Sequence, residues 1–526
     1  MCGLSWTKRI FSICGFTTCL LFLSSGAQAQ AQGSDAARGP SQQVDLASVA
    51  ALVQQLQSQV QRLSTQVQSL KSQQESAQAE SSALRKELDA TKSQLVALSA
   101  QPAGVQPVPA TAASTSVEER IVKLEENQQL ADSKIAEQSQ TKVESASKYR
   151  VRLNGILLFN TFINRGSVDN QDFPQIATEP GPLSSDGTFG ASVRQSQIGI
   201  QGFGPTIAGA RTSADVQFDF AGGFPDQPNG VAFGIMRLRT AAIRFDWQNT
   251  SLIGGQDSLF IAPLAPTSIA TLAAPTFSYS GNLWAWTPQF RVEHRFRASE
   301  KTSFLVQGGI LDSWSGEGPY SQSYRHSTWG EDSGQPAYAA RVAWTQSIAG
   351  QDMVFGAGGY YSRQSWGYGR AIDGWAGTLD LTLPLGKSLE FTGQFYRGRA
   401  TGGIGGGIGQ SVLWIGSLLD PNTQLFGLNS LGGWAQLKYR ATSKLQFNAA
   451  FGQDNPFADD FREYGSDPSS YYPSPLTKNQ TYLANFLYQP RSDIVLSLEY
   501  RHLKTYILDT NANTANVVNF SLGYIF

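Results

Sequence analysis

From Tyr149 to Phe526 the chain alternates apolar and polar residues with a period of two. The last stretch is the plainest: Val518, Phe520, Leu522, Tyr524 and Phe526 alternate with Asn519, Ser521 and Gly523. Successive side chains of a strand point to opposite faces, so such a segment predicts a strand with one apolar and one polar face. Ala210, Thr212, Ala214, Val216, Phe218 and Phe220 oppose Arg211, Ser213, Asp215, Gln217 and Asp219 in the same way. Phe290, Val292, His294 and Phe296 oppose Gln289, Arg291, Glu293 and Arg295, and Ile494, Leu496, Leu498 and Tyr500 oppose Ser497, Glu499 and Arg501. Strands are predicted near 149–163, 188–203, 206–221, 231–247, 250–261, 287–297, 302–313, 336–347, 352–364, 371–384, 388–398, 430–440, 443–452, 478–489, 492–503 and 514–526. That is about sixteen, an even number, as single-chain transmembrane barrels have. The connections alternate in length. Gly204-Pro205, Gln248-Asn249, Leu385-Gly386-Lys387, Ala441-Thr442 and Gln489-Pro490-Arg491 are tight, while 164–187, 262–286, 314–335, 399–429 and 453–477 are long. The expected fold is an all-β transmembrane barrel over 149–526, with short turns at one end and long loops at the other.

The pattern ahead of the barrel is helical. Leu56, Leu63, Leu70, Ala77, Leu84, Thr91 and Leu98 fall seven apart, with Val49 one heptad earlier; Val53, Val60, Val67, Gln74, Ser81, Leu88 and Leu95 form a second register. Two such stripes predict an α-helical coiled coil over 40–100, because each packs into the holes of a partner helix. Gln74 and Ser81 blunt the rules that relate stripe composition to strand number. Residues 101–116 form a Pro/Ala/Ser linker, and Val117, Ile121, Leu124, Gln128, Ala131 and Ile135 mark a short second coiled-coil helix over 117–146. At the start, Lys8 and Arg9 precede an apolar run from Ile10 to Leu23 and a small-x-small site at Ala27-Gln28-Ala29. That layout predicts a signal peptide over 1–29, the run being short against the roughly 20 residues that cross a bilayer. Cys19 lies inside the apolar run rather than after it, which argues against a lipoprotein.

Composition agrees with export and a barrel. Cys2, Cys14 and Cys19 all fall in the signal segment, so the mature chain is expected to have no disulfide, no Cys-ligated metal and no cofactor. The formal net charge of −1 argues against nucleic acid as a partner. No apolar run of membrane-helix length follows the signal, yet 29 Phe, 18 Tyr, 11 Trp and 52 Gly accompany only 15% charged residues, as lipid-facing strands require. The three histidines, His294, His326 and His502, offer little for catalysis. His294 alternates onto the apolar face with no serine beside it, and no two lie close enough in sequence to suggest a metal site, so no enzyme is expected.

Two stretches carry a resemblance. Met236-Arg237-Leu238-Arg239-Thr240-Ala241 followed by Leu252-Ile253-Gly254-Gly255-Gln256-Asp257-Ser258-Leu259-Phe260 resembles the hallmark hairpin of a porin family that includes the DcaP-type dicarboxylate channels and the phosphate-selective porins O and P. Arg194-Gln195-Ser196-Gln197-Ile198-Gly199 resembles another strand of that family. Gln197 stands for an Arg, Thr240 for a His, and Asp257 for a Trp or its neighbour. The resemblance implies a trimeric outer-membrane channel for small anionic metabolites, and the short turns, expected on the periplasmic side, put both barrel ends of the chain and the coiled coil there. Phe526 within the last strand looks like the terminal signature of outer-membrane barrels.

On that reading Arg211, Arg237, Arg239, Arg291, Arg295 and Arg341 point into the lumen, where guanidinium groups pair with carboxylate or phosphate bidentately. Asp215, Asp219 and Glu293 share the polar face, and two roles stand open: the arginines select anions, or they pair with these carboxylates and brace the wall. The loop 262–286 lies where trimeric porins fold a loop inward, with Tyr279, Trp284 and Trp286 placed either to stack on sugars or to anchor an interface. The expected partners are small solutes, outer-membrane lipid and two further copies of the chain, with cell-wall contact through the coiled coil as an additional reading. A weakly selective or sugar-permeable porin, or an envelope tether or adhesin, is the alternative. A peptide of residues 49–98 should gain helix with concentration in circular dichroism; helix content independent of concentration would count against the coiled coil.

Overall fold

The computed structural model describes residues 149–224, 234–318, 325–465 and 475–526. The expected signal segment, linker and both heptad helices lie outside the described residues. Strands β1 (Val151–Arg165), β2 (Gly187–Ser192), β3 (Gln197–Ile207), β4 (Ala210–Asp219), β5 (Arg237–Asp246), β6 (Thr250–Ser258) and β7 (Trp286–Arg297) are followed by β8 (Thr302–Leu311), β9 (Ala337–Ile348), β10 (Gln351–Ser365), β11 (Ala371–Pro384) and β12 (Leu389–Arg399). A small hairpin of β13 (Val412–Trp414) and β14 (Leu425–Gly427) precedes β15 (Asn429–Arg440), β16 (Leu445–Pro456), the short helix α1 (Ala458–Tyr464), β17 (Leu476–Arg491), β18 (Ile494–Ile507) and β19 (Asn513–Ile525).

Consecutive strands pair antiparallel, and β1 closes the ring. One edge of β1 pairs with β19; the other pairs with β2 along Asn160–Arg165 and with β3 along Val151–Ile156. β2 and β3 are thus two halves of one barrel strand, and the barrel has 16 strands. The sequence predicts one unbroken strand over 188–203. The chain instead turns at 193–196, where Arg194, Gln195 and Ser196 are buried. The ladder position this vacates on β1 is filled by a side chain: the Leu158 N–H donates to Ser196 Oγ at 2.9 Å. The first hairpin also moves. Its turn is Ala208-Gly209, both with positive φ (48° and 78°), rather than Gly204-Pro205, which lies in a register irregularity within β3. Two left-handed residues match the twist of adjacent strands, and a proline has no N–H for a ladder.

The outer wall is apolar. Phe159, Ile163, Phe290, Val292, Tyr338, Val342, Phe355, Leu379, Phe395, Leu437, Phe447, Phe520 and Leu522 are all exposed on it. A surface of this kind around a barrel has no place in water, and the barrel strands, at 9 to 16 residues for all but the halved β2, reach across a bilayer core. His294 and His502 sit on this face, bonded to Thr250 Oγ1 (2.8 Å) and Asn516 Oδ1 (2.9 Å).

The seam is finished by Phe526. Its carbonyl accepts the Gly155 N–H (2.9 Å), its N–H donates to the Gly155 carbonyl (3.1 Å), and its ring lies where a Cβ on residue 155 would collide with it. Phe526→Asp should therefore lower the yield of folded, heat-modifiable barrel, while Phe526→Trp should largely keep it. Equal yields for the two variants would remove Phe526 from the closure.

Candidate functional site in the barrel lumen

The segment 259–285, between β6 and β7, folds into the barrel and is held by the wall on several sides. Gln195 bridges it twice, Nε2 donating to the Ala270 carbonyl (2.8 Å) and Oε1 accepting the Ala273 N–H (3.0 Å). Gln436 accepts the Thr267 N–H, Asn485 donates to the Thr267 carbonyl, and Arg501 donates to Ser268 Oγ and Thr271 Oγ1. Thr378 Oγ1 donates to the Ile261 carbonyl at 2.8 Å. Inward side chains thus satisfy backbone groups that the loop cannot satisfy alone. Apolar contacts fix the two ends: Leu259, Phe260 and Ile261 are buried with Tyr360 and Tyr396, and Phe277 with Trp434 and Leu483. Gly281 lies so close to Gly433 that no side chain fits between, and Phe277 and Tyr279 hold positive φ (67° and 61°). Such residues cost of order 1 kcal/mol each and persist only where their surroundings hold them, so this segment is a fixed constriction.

A second loop lies beside it. Asp169 accepts the N–H groups of Gln175 (2.9 Å) and Ile176 (3.0 Å), and burial pushes its carboxyl up to about 6 against the pull of those bonds. The same turn docks on the wall through Asn479 Nδ2 to the Gln175 carbonyl and the Ala177 N–H to Thr505 Oγ1, both 2.9 Å.

Where the constriction meets β4 and β5, three predicted residues come together. Asp219, fully buried, accepts Arg237 Nη2 at 2.7 Å and Arg239 Nη1 at 2.8 Å. Both guanidiniums also donate to the loop, Arg237 to the Ala273 carbonyl (2.5 Å) and Arg239 to the Leu272 carbonyl (2.6 Å). The Trp286 ring lies under both, 5.0 and 4.2 Å away, with Trp284 edge-on to it. A register shift on β5 lets both arginines reach one carboxylate: Gln217 faces Thr240 but Phe218 faces Leu238, leaving Arg239 as the extra residue of a bulge. Arg237 keeps 30% of its side chain exposed and Arg239 11%, with the carboxylate hidden behind them.

A second chain of contacts runs round the wall. Asp257 Oδ2 meets Arg291 at 2.8 Å; Arg291 Nε donates to Glu293 (2.9 Å); Gln307 Nε2 donates to Glu293 (3.0 Å), and Gln307 Oε1 accepts from Arg341 Nη1 at 3.0 Å. Arg341 then clasps Asp380 bidentately, at 2.9 and 2.7 Å. Arg341 is on β9 and Asp380 on β11, so the pair straddles β10. It can do so because Gly356 of β10 has no side chain: a Cβ there would overlap both charged groups. Asp257, Gln307, Asp380 and Gly356 were not among the predicted site residues. Alternation alone puts Asp380 on the inward face of β11 with Thr378, but nothing local shows that a glycine on the strand between it and Arg341 makes room for the pair.

The remaining predicted residues stay apart. Arg211 and Arg295 have inward parity but sit exposed at the short-turn mouth, without a salt bridge among the described residues. Asp215 faces the lumen on β4, likewise without one. Partly exposed inward side chains gather on β3 to β6: Gln201, Ser213, Asp215, Gln217, Arg244, Asp246 and Asp257. Inward residues of β9 to β12 and β15 to β19 near the loop are buried, so the accessible part of the lumen runs along β3 to β6.

No protein-family model matches the chain, and no curated protein sequence does either. Among solved structures, the outer membrane channel DcaP of Acinetobacter baumannii aligns with a TM-score of 0.55 at 18% identity, over 73% of this chain and 99% of that one. OprB of Pseudomonas putida aligns at 0.43 and 10% identity, over 74% and 97%. A mutant Rhodopseudomonas blastica porin aligns at 0.39 and 10%, over 72% and 100%. The DcaP alignment establishes that the barrel has a porin-like channel fold; the other two add nothing to it.

Displacing a buried ion pair without replacing its partners costs about 3–5 kcal/mol. Gly356→Ala should therefore lower the temperature at which the barrel loses its heat-modifiable form, whereas Gly359→Ala, whose Cβ meets open space on the same strand, should leave it unchanged. Equal melting of the two variants would show that the Arg341–Asp380 clasp adds nothing to stability.

Proposed function

We propose that the protein is an outer-membrane diffusion channel, a porin, for small hydrophilic solutes, with anionic metabolites such as dicarboxylates or phosphate preferred. It works as a homotrimer exported by the signal segment 1–29, with the heptad segments 40–100 and 117–146 joining the copies on the periplasmic side. The apolar outer wall and the polar, loop-narrowed interior support a channel. The anion preference rests on one observation: beside the constriction, Arg237 and Arg239 face the accessible lumen while Asp219 is wholly hidden.

A charge selects ions where the pathway is narrow, because a solute cannot pass beyond its reach there. Nearer the short turns, Arg244 has Asp246 at 3.5 Å and Asp215 is partly exposed, while Asp257, level with Thr240 beside the constriction, is partly exposed with its Oδ2 on Arg291 at 2.8 Å, so the wall is mixed in sign. The selectivity is accordingly modest and set at the loop. Both guanidiniums lie over the Trp286 ring, at 5.0 and 4.2 Å from its centre, and keep part of their surface for a passing carboxylate or phosphate. The wall-bracing role of Arg291 and Arg341 is separate, both being buried against carboxylates.

Reversal potentials under a KCl gradient test this reading. The wild type should favour chloride, and the preference should fade near 1 M salt, where the Debye length is about 3 Å. Arg237→Gln with Arg239→Gln should shift the potential toward cations, and Glu293→Gln the opposite way. A wild-type potential of cationic sign would overturn the anion preference, and the absence of any conductance would overturn the channel itself.

A further inference from the structure

The β1–β2 connection, the first loop, shares anchors with the constriction loop. It is exposed over 179–187, but residues 174–177 turn into the barrel and are buried. That inner turn meets the wall at two places. At one, Asp172 Oδ2 accepts Arg194 Nη1 (3.0 Å) and Ser192 Oγ (2.8 Å), next to the Gln195 that bridges to Ala270 and Ala273. At the other stands Asn479 of β17, fully buried and in register with Thr505 of β18. Its Nδ2 donates to the Gln175 carbonyl of the turn and to the Tyr279 carbonyl of the constriction loop, both at 2.9 Å, with Ser280 Oγ as a third acceptor at 2.9 Å. Its Oδ1 accepts the Thr505 hydroxyl (2.8 Å), whose oxygen takes the Ala177 N–H (2.9 Å). Carbonyls only accept, so the two of them decide which end of the amide is nitrogen.

Asp169 aims the turn at this amide. The Ile176 N–H and the Gln175 carbonyl belong to one planar trans peptide and point opposite ways. With the N–H held on Asp169 Oδ1 at 3.0 Å, the carbonyl is presented to Asn479. On the constriction side the amide holds backbone that needs support: Phe277 and Tyr279 have positive φ, and Ser280 Oγ reaches on to Thr481 Oγ1 at 2.7 Å. Such residues keep their conformation only where neighbours hold it. One side chain thus joins two loops that are far apart in the chain.

We infer that Asn479 is a positioning residue for the constriction, holding the segment 277–282 against the wall jointly with the inner turn of the first loop. The inference rests on the channel reading proposed above for its effect on ion flow, and on geometry alone for the coupling of the two loops. Each hydrogen bond that Asn479 donates is worth roughly fivefold in the equilibrium between docked and loosened loop. Two segments that share one amide are coupled, and the coupling acts in both directions. Loosening the turn at Asp169 therefore loosens the constriction, although Asp169 belongs to another loop.

Hydrogen exchange of the detergent-solubilised full-length protein, read by mass spectrometry, tests the coupling. Amides of Ser278, Ser280 and Asn282, all bonded within their own turn, should exchange roughly fivefold faster in Asn479→Leu than in the wild type, and faster also in Asp169→Ala. Asp169→Ala added to Asn479→Leu should give no further rise, because the link is already cut. Gly356→Ala, which weakens the wall away from 277–282, should leave these amides at the wild-type rate. Planar-bilayer recording then reads the effect on flow. Asn479→Leu should spend roughly fivefold more time in partial-conductance levels and move the reversal potential toward zero, with Arg237 and Arg239 untouched. Asn479→Ser replaces Asn479→Leu if the latter does not reach the folded, heat-modifiable form. Wild-type exchange in the Asn479 variant, or rises that add in full for the two substitutions, would overturn the inference. Faster exchange in a channel as steady and selective as the wild type would overturn the positioning role, and a wild type that does not conduct would sink the channel reading while exchange still decides the coupling.

Discussion

The structure depends on β1 finding a hydrogen-bonded partner on both of its edges. A sheet placed in hydrocarbon cannot leave an edge open, because each unpaired backbone group costs several kcal/mol with no water to take its place. Pairing with β19 on one side and with β2 and β3 on the other removes the last edge. The one interruption, at 193–196, is bridged at Leu158 by the Ser196 hydroxyl, so the backbone stays satisfied while the chain turns Gln195 inward. A gap in the ladder thereby becomes an anchor for the constriction loop.

Closure creates an interior too wide for side chains to fill, and the protein fills it with backbone. The inward loops bring N–H and C=O groups that need partners, which explains why the facing wall is rich in Asn, Gln, Thr and Arg. Charges among them are almost all matched. Asp219, Glu293 and Asp380 each take up a guanidinium, and the bulge at Arg239 and the missing side chain at Gly356 make room for the pairings. Such pairs repay their desolvation only with good geometry and satisfied remaining donors, and the Arg341 clasp, with Gln307 on its third nitrogen, meets that condition.

The two faces of the wall put cations to different ends. Inside, arginines are braced by carboxylates, and only those whose carboxylate lies hidden turn a positive face to the accessible lumen. Outside, Lys478 and Lys504 have an aromatic ring for a neighbour and no salt bridge among the described residues. Guanidinium forks suit fixed, bidentate geometry, while ammonium groups sit on flexible stems.

The sequence by itself determined the barrel: its period-two alternation, the even strand number, the short and long connections in turn, and the face on which Arg237, Arg291, Arg341 and Asp219 lie. These are properties of one strand and its neighbours, and a period of two is readable locally. Tertiary structure decided the rest. The break at 193–196 and the hairpin at Ala208-Gly209 follow from what β1 and the lumen loop require, not from the pattern of residues around them. Arg211 and Arg295 share inward parity with Arg237 yet stay apart from it, because parity fixes a face and not a height along the strand. The partners Asp257 and Asp380 lie dozens of residues from the arginines they serve, and the glycine that lets one pair cross a strand lies on a different strand from both of its charges. Only the pairing and register of neighbouring strands bring them within hydrogen-bonding distance.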